Sequence, residues 1–536
     1  MSRRLARSAG LIGVATLASR LLGLVRDVIF ANLFGAGALM DAFNVATRMP
    51  TLLRDLFAEG AMSAAFVPRF TQCLEKEGRA AAWRLGSQVV NALLLITGVL
   101  VVLGIVFVDP LIGAYADKFR SIPGKLEVTT QLTRLTMPFL TLVAVAAAYM
   151  GMLNALRRFF VPSLSPALFN VVIILSAILL TPVCVRMGWS PILSLGIGTL
   201  LGGVAQIIIQ VPTLRSEGFR HQWVLDFRDP ALRQVLMLMG PGTLGVAAAQ
   251  INILVNTQLA TGQNAAISWL NYAFRLMYMP IGIFGVSVAT AAIPDLARQA
   301  GAKAFGEMRT TLSYGLRLML MLGVPSSIGL IAIGGPIVEL MFQHGRFVAD
   351  DTAAVAAALA FYSAGIVGYS IVKIASPSFY AMGDARTPVI CSVVTVLANL
   401  VMNLVLWRVM GYRGLALGTG IAANINAGLL LVLLSRRIGG IEGARVLRSF
   451  LKITAASIVM GLAAYGSEAW LHRVLPATLE MPALVSGLWS PELPSRLIRV
   501  IGAIGAAIAV LAASAAVLRI EEFGQARRRV LSRFKG

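Results

Sequence analysis

The stretch ASRLLGLVRDVIFANLFGAG, residues 18–37, is apolar enough to sit in lipid, yet Arg20, Arg26 and Asp27 interrupt it. The apolar pattern starts near Gly10 and continues to Phe34. That is longer than the roughly 7–15-residue core of a secretory signal, although the basic start SRRLAR mimics one. The segment therefore reads as a first transmembrane helix with its basic end inside. The question it raises is why such a helix carries two arginines that lipid cannot solvate.

Composition sets the same frame for the whole chain. Of 536 residues, 57% are hydrophobic and 13% charged, where a soluble protein carries roughly 25% charged residues. Mean hydropathy is +0.80. These values predict an all-α polytopic membrane protein. The net charge of +22 follows from lysines and arginines that collect in short loops and orient the helices. No basic soluble domain is present to carry nucleic-acid binding, so no nucleic-acid partner is expected. Cys73, Cys184 and Cys391 are scattered, as are His221, His344 and His472. Neither a disulfide framework nor a metal site follows from them, and no cofactor is expected.

Taking roughly 20 apolar residues per crossing gives about fourteen spans joined by short connections. With the N-terminus inside, the inside loops hold about 24 Lys and Arg against about 10 in the opposite loops. Both termini are then cytoplasmic. The chain also repeats itself. Pro68 and Pro294, Pro110 and Pro336, and Pro162 and Pro388 share an offset of 226 residues, each pair between corresponding spans. The offset covers six spans, an even number, so both copies cross in the same direction. The expected architecture is two parallel six-helix lobes around a central cavity. Residues 1–220 form the first lobe, 221–440 the second, and 441–536 an appendage of two helices and a basic tail.

Charged groups inside spans cost about 2.5–3.5 kcal/mol on insertion scales and usually face a wet cavity or one another. In the first helix Arg20 and Asp27 share a face, while Arg26 points about 120° away from Arg20. A bend at Gly23 is what turns both arginines toward one ligand. The second helix carries Asp41, Asn44, Arg48 and Asp55 on one stripe, with Glu59 a turn further and Arg54 beside it. Pro50 should kink this span. Arg54, Asp55 and Glu59 fit either a gate of ion pairs or a ligand site. In the second copy, Gln250, Asn252, Asn256, Ser268, Asn271 and Arg275 are the polar positions, with Pro280 permitting a bend. Arg275 has no acid close in sequence. Arg134, Arg317 and Lys373 either snorkel or line the cavity. An excess of guanidinium in apolar surroundings suits an anionic substrate, because its fork matches phosphate and carboxylate. The last two spans are rich in Ala and Gly, which fits either ordinary small-residue packing or a smooth groove for a lipid chain.

SRLLGLVRDVIFANLFGAGALMDAFNVATRMPTLLRDLFAEGAMSAAFVPRF resembles the N-terminal signature of the MurJ (MviN) lipid II flippases. The likeness extends through SWLNYAFRLMYMPIGIFGVSVATAAIPDLAR, FQHGRF and SPSFYAMGDARTPV, and so over essentially the whole chain. The resemblance implies the fold of the MOP exporter superfamily, with two extra helices. It implies movement of lipid II, the undecaprenyl-pyrophosphate-linked peptidoglycan precursor, from the cytoplasmic to the periplasmic leaflet of the inner membrane. The headgroup would enter a cationic cavity, while the tail passes between helices 1 and 8 and lies along helices 13 and 14. By motif position the family's functional arginines fall on Arg20, Arg26, Arg54 and Arg275. Asp27 matches an acid that pairs with arginines, and Asp41 and Ser268 match further cavity positions. Phe274 and Tyr278 stand where some members have acids.

The reading is thus a flippase, not an enzyme, working by alternating access. Arg20, Arg26, Arg275, Arg54, Ser268 and Asp41 would bind substrate. Asp27, Asp55 and Glu59 would form ion pairs or gates, and Gly23, Pro50 and Pro280 would serve as hinges. Lipid II, membrane lipids and cell-wall synthesis proteins are the expected partners. The alternative is a flippase of the same fold for another polyprenyl-linked glycan, of O-antigen type.

Overall fold

The computed structural model describes residues 3–55, 60–476, 478 and 491–524, and among these it is helical with no strand. The helices are α1 (Arg3–Phe34), α2 (Ala38–Arg54), α3 (Gly60–Lys76), α4 (Arg79–Val106), α5 (Val108–Tyr115), α6 (Lys125–Thr136), α7 (Phe139–Ala155), α8 (Phe160–Arg186), α9 (Leu193–Ser216) and α10 (Pro230–Ala260). There follow α11 (Ala266–Pro280), α12 (Val286–Gly301), α13 (Phe305–Phe342), α14 (Ala349–Ser363), α15 (Ile366–Ala381), α16 (Arg386–Met410), α17 (Tyr412–Ile438), α18 (Gly443–Val474) and α19 (Leu493–Val517). Ten spans among the described residues are long and apolar enough to cross a membrane, and eleven if α14 and α15, bent by 42° at their junction, make one span. The described residues therefore establish a many-span helical membrane protein.

The duplication is visible element by element. α3 starts at Gly60 and α12 at Val286, α4 at Arg79 and α13 at Phe305, α8 at Phe160 and α16 at Arg386, each pair 226 residues apart. α2 ends at Arg54 and α11 at Pro280, again 226 apart, and in both copies the helix then turns π-helical, at Asp55 and at Ile281. A π turn is a usual way to absorb a break in the helical ladder. At Pro280 the break is the missing N–H and the ring clash of proline. The turn over Ile281–Gly285 closes with the Val286 N–H on the Ile281 carbonyl.

Contacts divide the chain into two compact units, Met1–Ser268 and Trp269–Gly536. The sequence division at 220 follows the repeat, whereas the contact division assigns α10 to the first unit. There α10 packs on α3 and α4, while α1, its counterpart in the first copy, packs on α8. Asp229 starts α10 by accepting from the Ala231 and Leu232 amides, and Pro230 follows at the first helical position.

In the first unit α8 lies along α1 and α9, α2 packs on α6, and α7 on α4 and α9. Small residues allow these approaches. A Cβ on Gly202 of α9 would sit 2.6 Å from the Phe169 ring of α8, the close packing expected where lipid supplies no hydrophobic drive between helices. A ring chain runs Phe66–Phe70–Trp83–Phe219–Tyr149, with centroids 5.4–5.9 Å apart, inside the core that α3, α4, α7 and α10 share.

In the second unit α13 is the spine, packing on α12, α14, α15, α18 and α19. It bends at Ile333, whose φ/ψ of −122°/20° leave the helical range. The appended pair α18 and α19 is fixed to it at two levels. Arg317, whose side chain is 4% exposed, bonds Glu521 and Glu522 beyond α19. Arg496 and Arg499 of α19 meet Glu339 of α13, and Arg499 also pairs with Glu468 of α18. Arg317 thus clamps a terminal segment, a use that neither snorkelling nor a cavity anticipated. Arg134, another of the three ambiguous cations, pairs with Asp109 in an exposed setting.

Candidate functional site

Three polar stations are strung through the first unit, and α2 links the outer two. Asp41 and Asp55 are separated by about 21 Å at a rise of 1.5 Å per residue.

The first station centres on the buried side chains of Asp41, Lys125 and Ser268. Asp41 Oδ2 accepts from Lys125 Nζ at 2.8 Å and from the Ala265 amide at 2.8 Å. Its Oδ1 accepts from the Ser268 amide at 3.0 Å and the Ser268 hydroxyl at 2.7 Å. Asn44 Nδ2 reaches the same hydroxyl at 3.4 Å. Lys125 also donates to Asn264 Oδ1 at 3.0 Å and lies 4.0 Å over the Phe119 ring. Asp41 therefore acts as a helix cap supplied from another element, meeting the amides at the start of α11 with a negative charge where the helix dipole favours one. Ala265 holds a left-handed φ of 65° there, a conformation costly for a residue with a Cβ. Both carboxylate oxygens are committed to protein donors in this conformation.

The second station is the answer to the opening stretch. Arg26 Nε and Nη2 both donate to Asp27 Oδ1, at 3.0 and 2.8 Å. Arg26 Nη1 donates to Asn170 Oδ1 of α8 at 3.1 Å, and Asn170 Nδ2 donates to the Ser19 carbonyl at 3.2 Å. The guanidinium also lies 5.7 Å from the Phe30 ring centroid. Side-chain exposure is 18% for Arg26 and 11% for Asp27, so the pair is held without being sealed. Arg20 is exposed on the same helix. α1 runs helical through Gly23, and Gly23 packs towards Asn170, whose Nδ2 would lie 3.7 Å from an added Cβ. α1 is helical on both sides of Gly23 and lies along α8.

The third station repeats the motif of an arginine beside its acid. Arg54 Nε and Nη2 donate to Asp55 Oδ1 at 3.0 and 2.7 Å, and Gln250 Nε2 donates to Asp55 Oδ2 at 2.9 Å. Pro50 is buried within a continuous α2. Glu59, expected to extend this gate, lies outside the described residues.

In the second unit Arg275 is exposed on α11. Phe274 and Tyr278 belong to an aromatic cluster. Phe274 stacks on Tyr278 at 5.8 Å and meets Tyr362 and Tyr369 edge-on at 5.5 and 6.4 Å. α11 itself, Ala266–Pro280, has no Asp or Glu in its sequence.

Sequence reasoning missed Lys125, Asn170 and Asn264. Lys125 looked like a loop lysine at the head of a span, and an isolated Asn170 in SPALFNVVIIL carries no spacing signal. A buried amide in an apolar run is the one available hint, since lipid gives it no partner. Among the described residues no group of His, Cys, Asp or Glu is arranged to hold a metal.

The family model described as lipid II flippase MurJ matches residues 30–483. A probable lipid II flippase MurJ from Vibrio cholerae serotype O1 is 36% identical over 442 residues, covering 80% of this chain and 83% of that one. Its counterpart in Haemophilus influenzae is 35% identical over 465 residues, covering 84% and 90%. Among solved structures, a lipid II flippase MurJ in an inward closed conformation superposes with a TM-score of 0.74 at 27% identity, over 95% of this chain and 99% of that one. An inward-facing multidrug transporter of the MATE family, in the MOP superfamily, shares the fold with a TM-score of 0.63 at 14% identity, over 79% and 96%. The chain belongs to the lipid II flippase MurJ family.

Proposed function

We propose that this protein moves lipid II across the bacterial inner membrane, from the cytoplasmic to the periplasmic leaflet, by alternating access. The observation that carries the reading is a partly exposed arginine, Arg26, fixed inside a membrane helix of a chain whose family is named for lipid II flipping. A guanidinium held by one carboxylate and one amide keeps donor capacity for a diphosphate oxygen, and in a low-dielectric setting that attraction is strong. Arg20, Arg54 and Arg275 extend the cationic path, with Ser268 and Asp41 as further contacts. Opening the route from the outside requires Asp41 to release Ser268 and Lys125, which gives that station a gating role. Asp55 and Glu59 serve the opposite gate, and Pro50, Pro280 and Gly23 are the bending points of the cycle. The excess of Lys and Arg in one set of loops supports cytoplasmic termini. Such a cycle moves a substrate and transforms none, so the protein is a transporter and not an enzyme. Lipid II and the surrounding lipids are its partners, and cell-wall synthesis proteins would receive its product.

Flipping of labelled lipid II in proteoliposomes tests this, wild type against Arg275→Ala. Wild-type transport with a loss in the variant supports the reading. Equal transport of polyprenyl-linked O-antigen type glycans would replace lipid II by the broader substrate class.

A further inference from the structure

At the end of the first unit where α7 and α9 terminate lies a cavity of about 600 Å³, lined by Tyr149, Val211, Leu214, Arg215, Phe219, Arg220 and His221. The proposed transport cycle makes no use of it. Its wall is ordered. The chain after α9 is pinned to α4, where Asn91 Nδ2 donates to the Gln222 and Val224 carbonyls at 2.8 and 2.9 Å and Ser87 Oγ accepts the Gln222 amide at 3.2 Å. The His221 ring stands edge-on to Trp223 at 4.8 Å, and its buried Nδ1 makes no hydrogen bond among the described residues. Among the described residues the lining holds two arginines and no acid. Of the nearby acids, Glu217 pairs with Arg79 and Arg158, Asp226 accepts the Arg228 amide, and Asp229 caps α10 while accepting from Gln88. The floor, Val211, Leu214 and Phe219, is apolar. Trp223 is 83% exposed beside it and Phe227 48%, aromatic residues of the kind that settle at the membrane–water interface.

We propose that this cavity binds the phosphodiester headgroup of an anionic phospholipid. Arg215 and Arg220 supply guanidinium forks for the phosphate oxygens. The apolar floor and Trp223 meet the glycerol and the first methylenes, contacts that a bare phosphate would leave unused. The volume suits one headgroup. The inference goes beyond the flippase reading and is independent of it, because its readout is binding and not transport.

The test is native mass spectrometry of the purified full-length protein with phosphatidylglycerol and phosphatidylcholine of equal chain length. Phosphatidylglycerol should be retained about tenfold or more over phosphatidylcholine, on the scale of basic residues at an anionic surface. Arg215→Gln/Arg220→Gln should abolish that preference, and Arg215→Lys/Arg220→Lys should keep part of it. Both arginines are exposed, so the variants should elute as the wild type does. Equal retention of the two lipids, or an unchanged preference in the Gln double variant, overturns the proposal. So does displacement of phosphatidylglycerol by an equal concentration of inorganic phosphate, or by lipid II, which would assign the site to a free anion or to the transported substrate.

Discussion

Lys125 sets its ammonium 2.8 Å from a carboxylate oxygen of Asp41, with both side chains wholly excluded from the surface. Two charges so enclosed attract strongly, but each has lost its hydration, so the net benefit of the pair is small while the cost of removing one partner is large. Asp41→Ala should therefore lower stability by about 3–5 kcal/mol, leaving Lys125 buried without its counter-ion. Asp41→Ala/Lys125→Met should recover part of that loss, since the Ala265 and Ser268 amides still lack the carboxylate. Thermal unfolding of the detergent-purified protein checks both variants, and a double variant no more stable than Asp41→Ala would refute the account.

Arg26 is positioned by Asn170 as much as by Asp27. Asn170 accepts from Arg26 and donates to the Ser19 carbonyl, so it ties the guanidinium to α8 and α1 at once. Arg26→Ala should abolish complementation of a flippase-depleted strain at normal expression. Asn170→Ala should leave the charge and lose its placement. A hydrogen bond to a charged group contributes about 1.5–3 kcal/mol, which corresponds to a transport rate lower by roughly ten- to a hundredfold. Growth of the Arg26→Ala strain at the wild-type rate would remove Arg26 from the mechanism.

The opening stretch shows what the sequence carried and what it could not. Apolar length and the 226-residue proline offset are local patterns, and they specified a duplicated helical membrane fold whose copies start their helices in step. The arginines in α1 were legible as anomalies, because a charge in lipid demands a reason. Their partners were not. Asn170 lies 144 residues from Arg26 and Lys125 lies 84 from Asp41, and no periodicity connects residues on different helices. The bend expected at Gly23 was read from an isolated helix, without the α8 that packs alongside it. The assignment of α10 to the first unit was hidden for the same reason, since its place depends on which neighbours it finds.

Close helix approach in the second unit yields a sharper contrast. A Cβ on Gly368 of α15 would fall 2.6 Å from the Ala423 backbone of α17, and backbone cannot move aside as a side chain can. Among the described residues, nothing lies within 4 Å of such an atom on Gly428 of α17. Gly368→Ala should therefore cost about 1–3 kcal/mol through forced separation of the helices. Gly428→Ala should be neutral or stabilising by about 0.5–1 kcal/mol, because alanine restricts the unfolded chain and favours helix. The fraction of protein surviving a heat step, measured for the two side by side, decides the point.

Arg317 offers a prediction with a pH dependence. Its guanidinium binds Glu521 and Glu522, and Glu521 also binds Arg445 at 2.7 Å. The Arg445 hydrogen bond first, and then that from Arg317, holds the Glu521 carboxyl below its ordinary range. A carboxylate with a depressed pKa stabilises the folded arrangement at any pH above its ordinary value and loses that contribution as pH falls through its folded value. The segment after α19 should thus stay docked at neutral pH and loosen in acid below the usual glutamate range. Glu521 is largely exposed, so salt should weaken its share, whereas Glu522, 3% exposed, should resist. Arg317→Met should strand Glu522 as a buried charge and release the segment at neutral pH. Limited proteolysis of the C-terminal end, run at neutral and acid pH, reads this directly. Faster cleavage in acid for wild type, and fast cleavage at both pH values for Arg317→Met, is the expected pattern. Identical cleavage of the two proteins at neutral pH would show that apolar packing alone, through Ile520 and Phe523 against Leu320, Val324 and Ile453, fixes the segment.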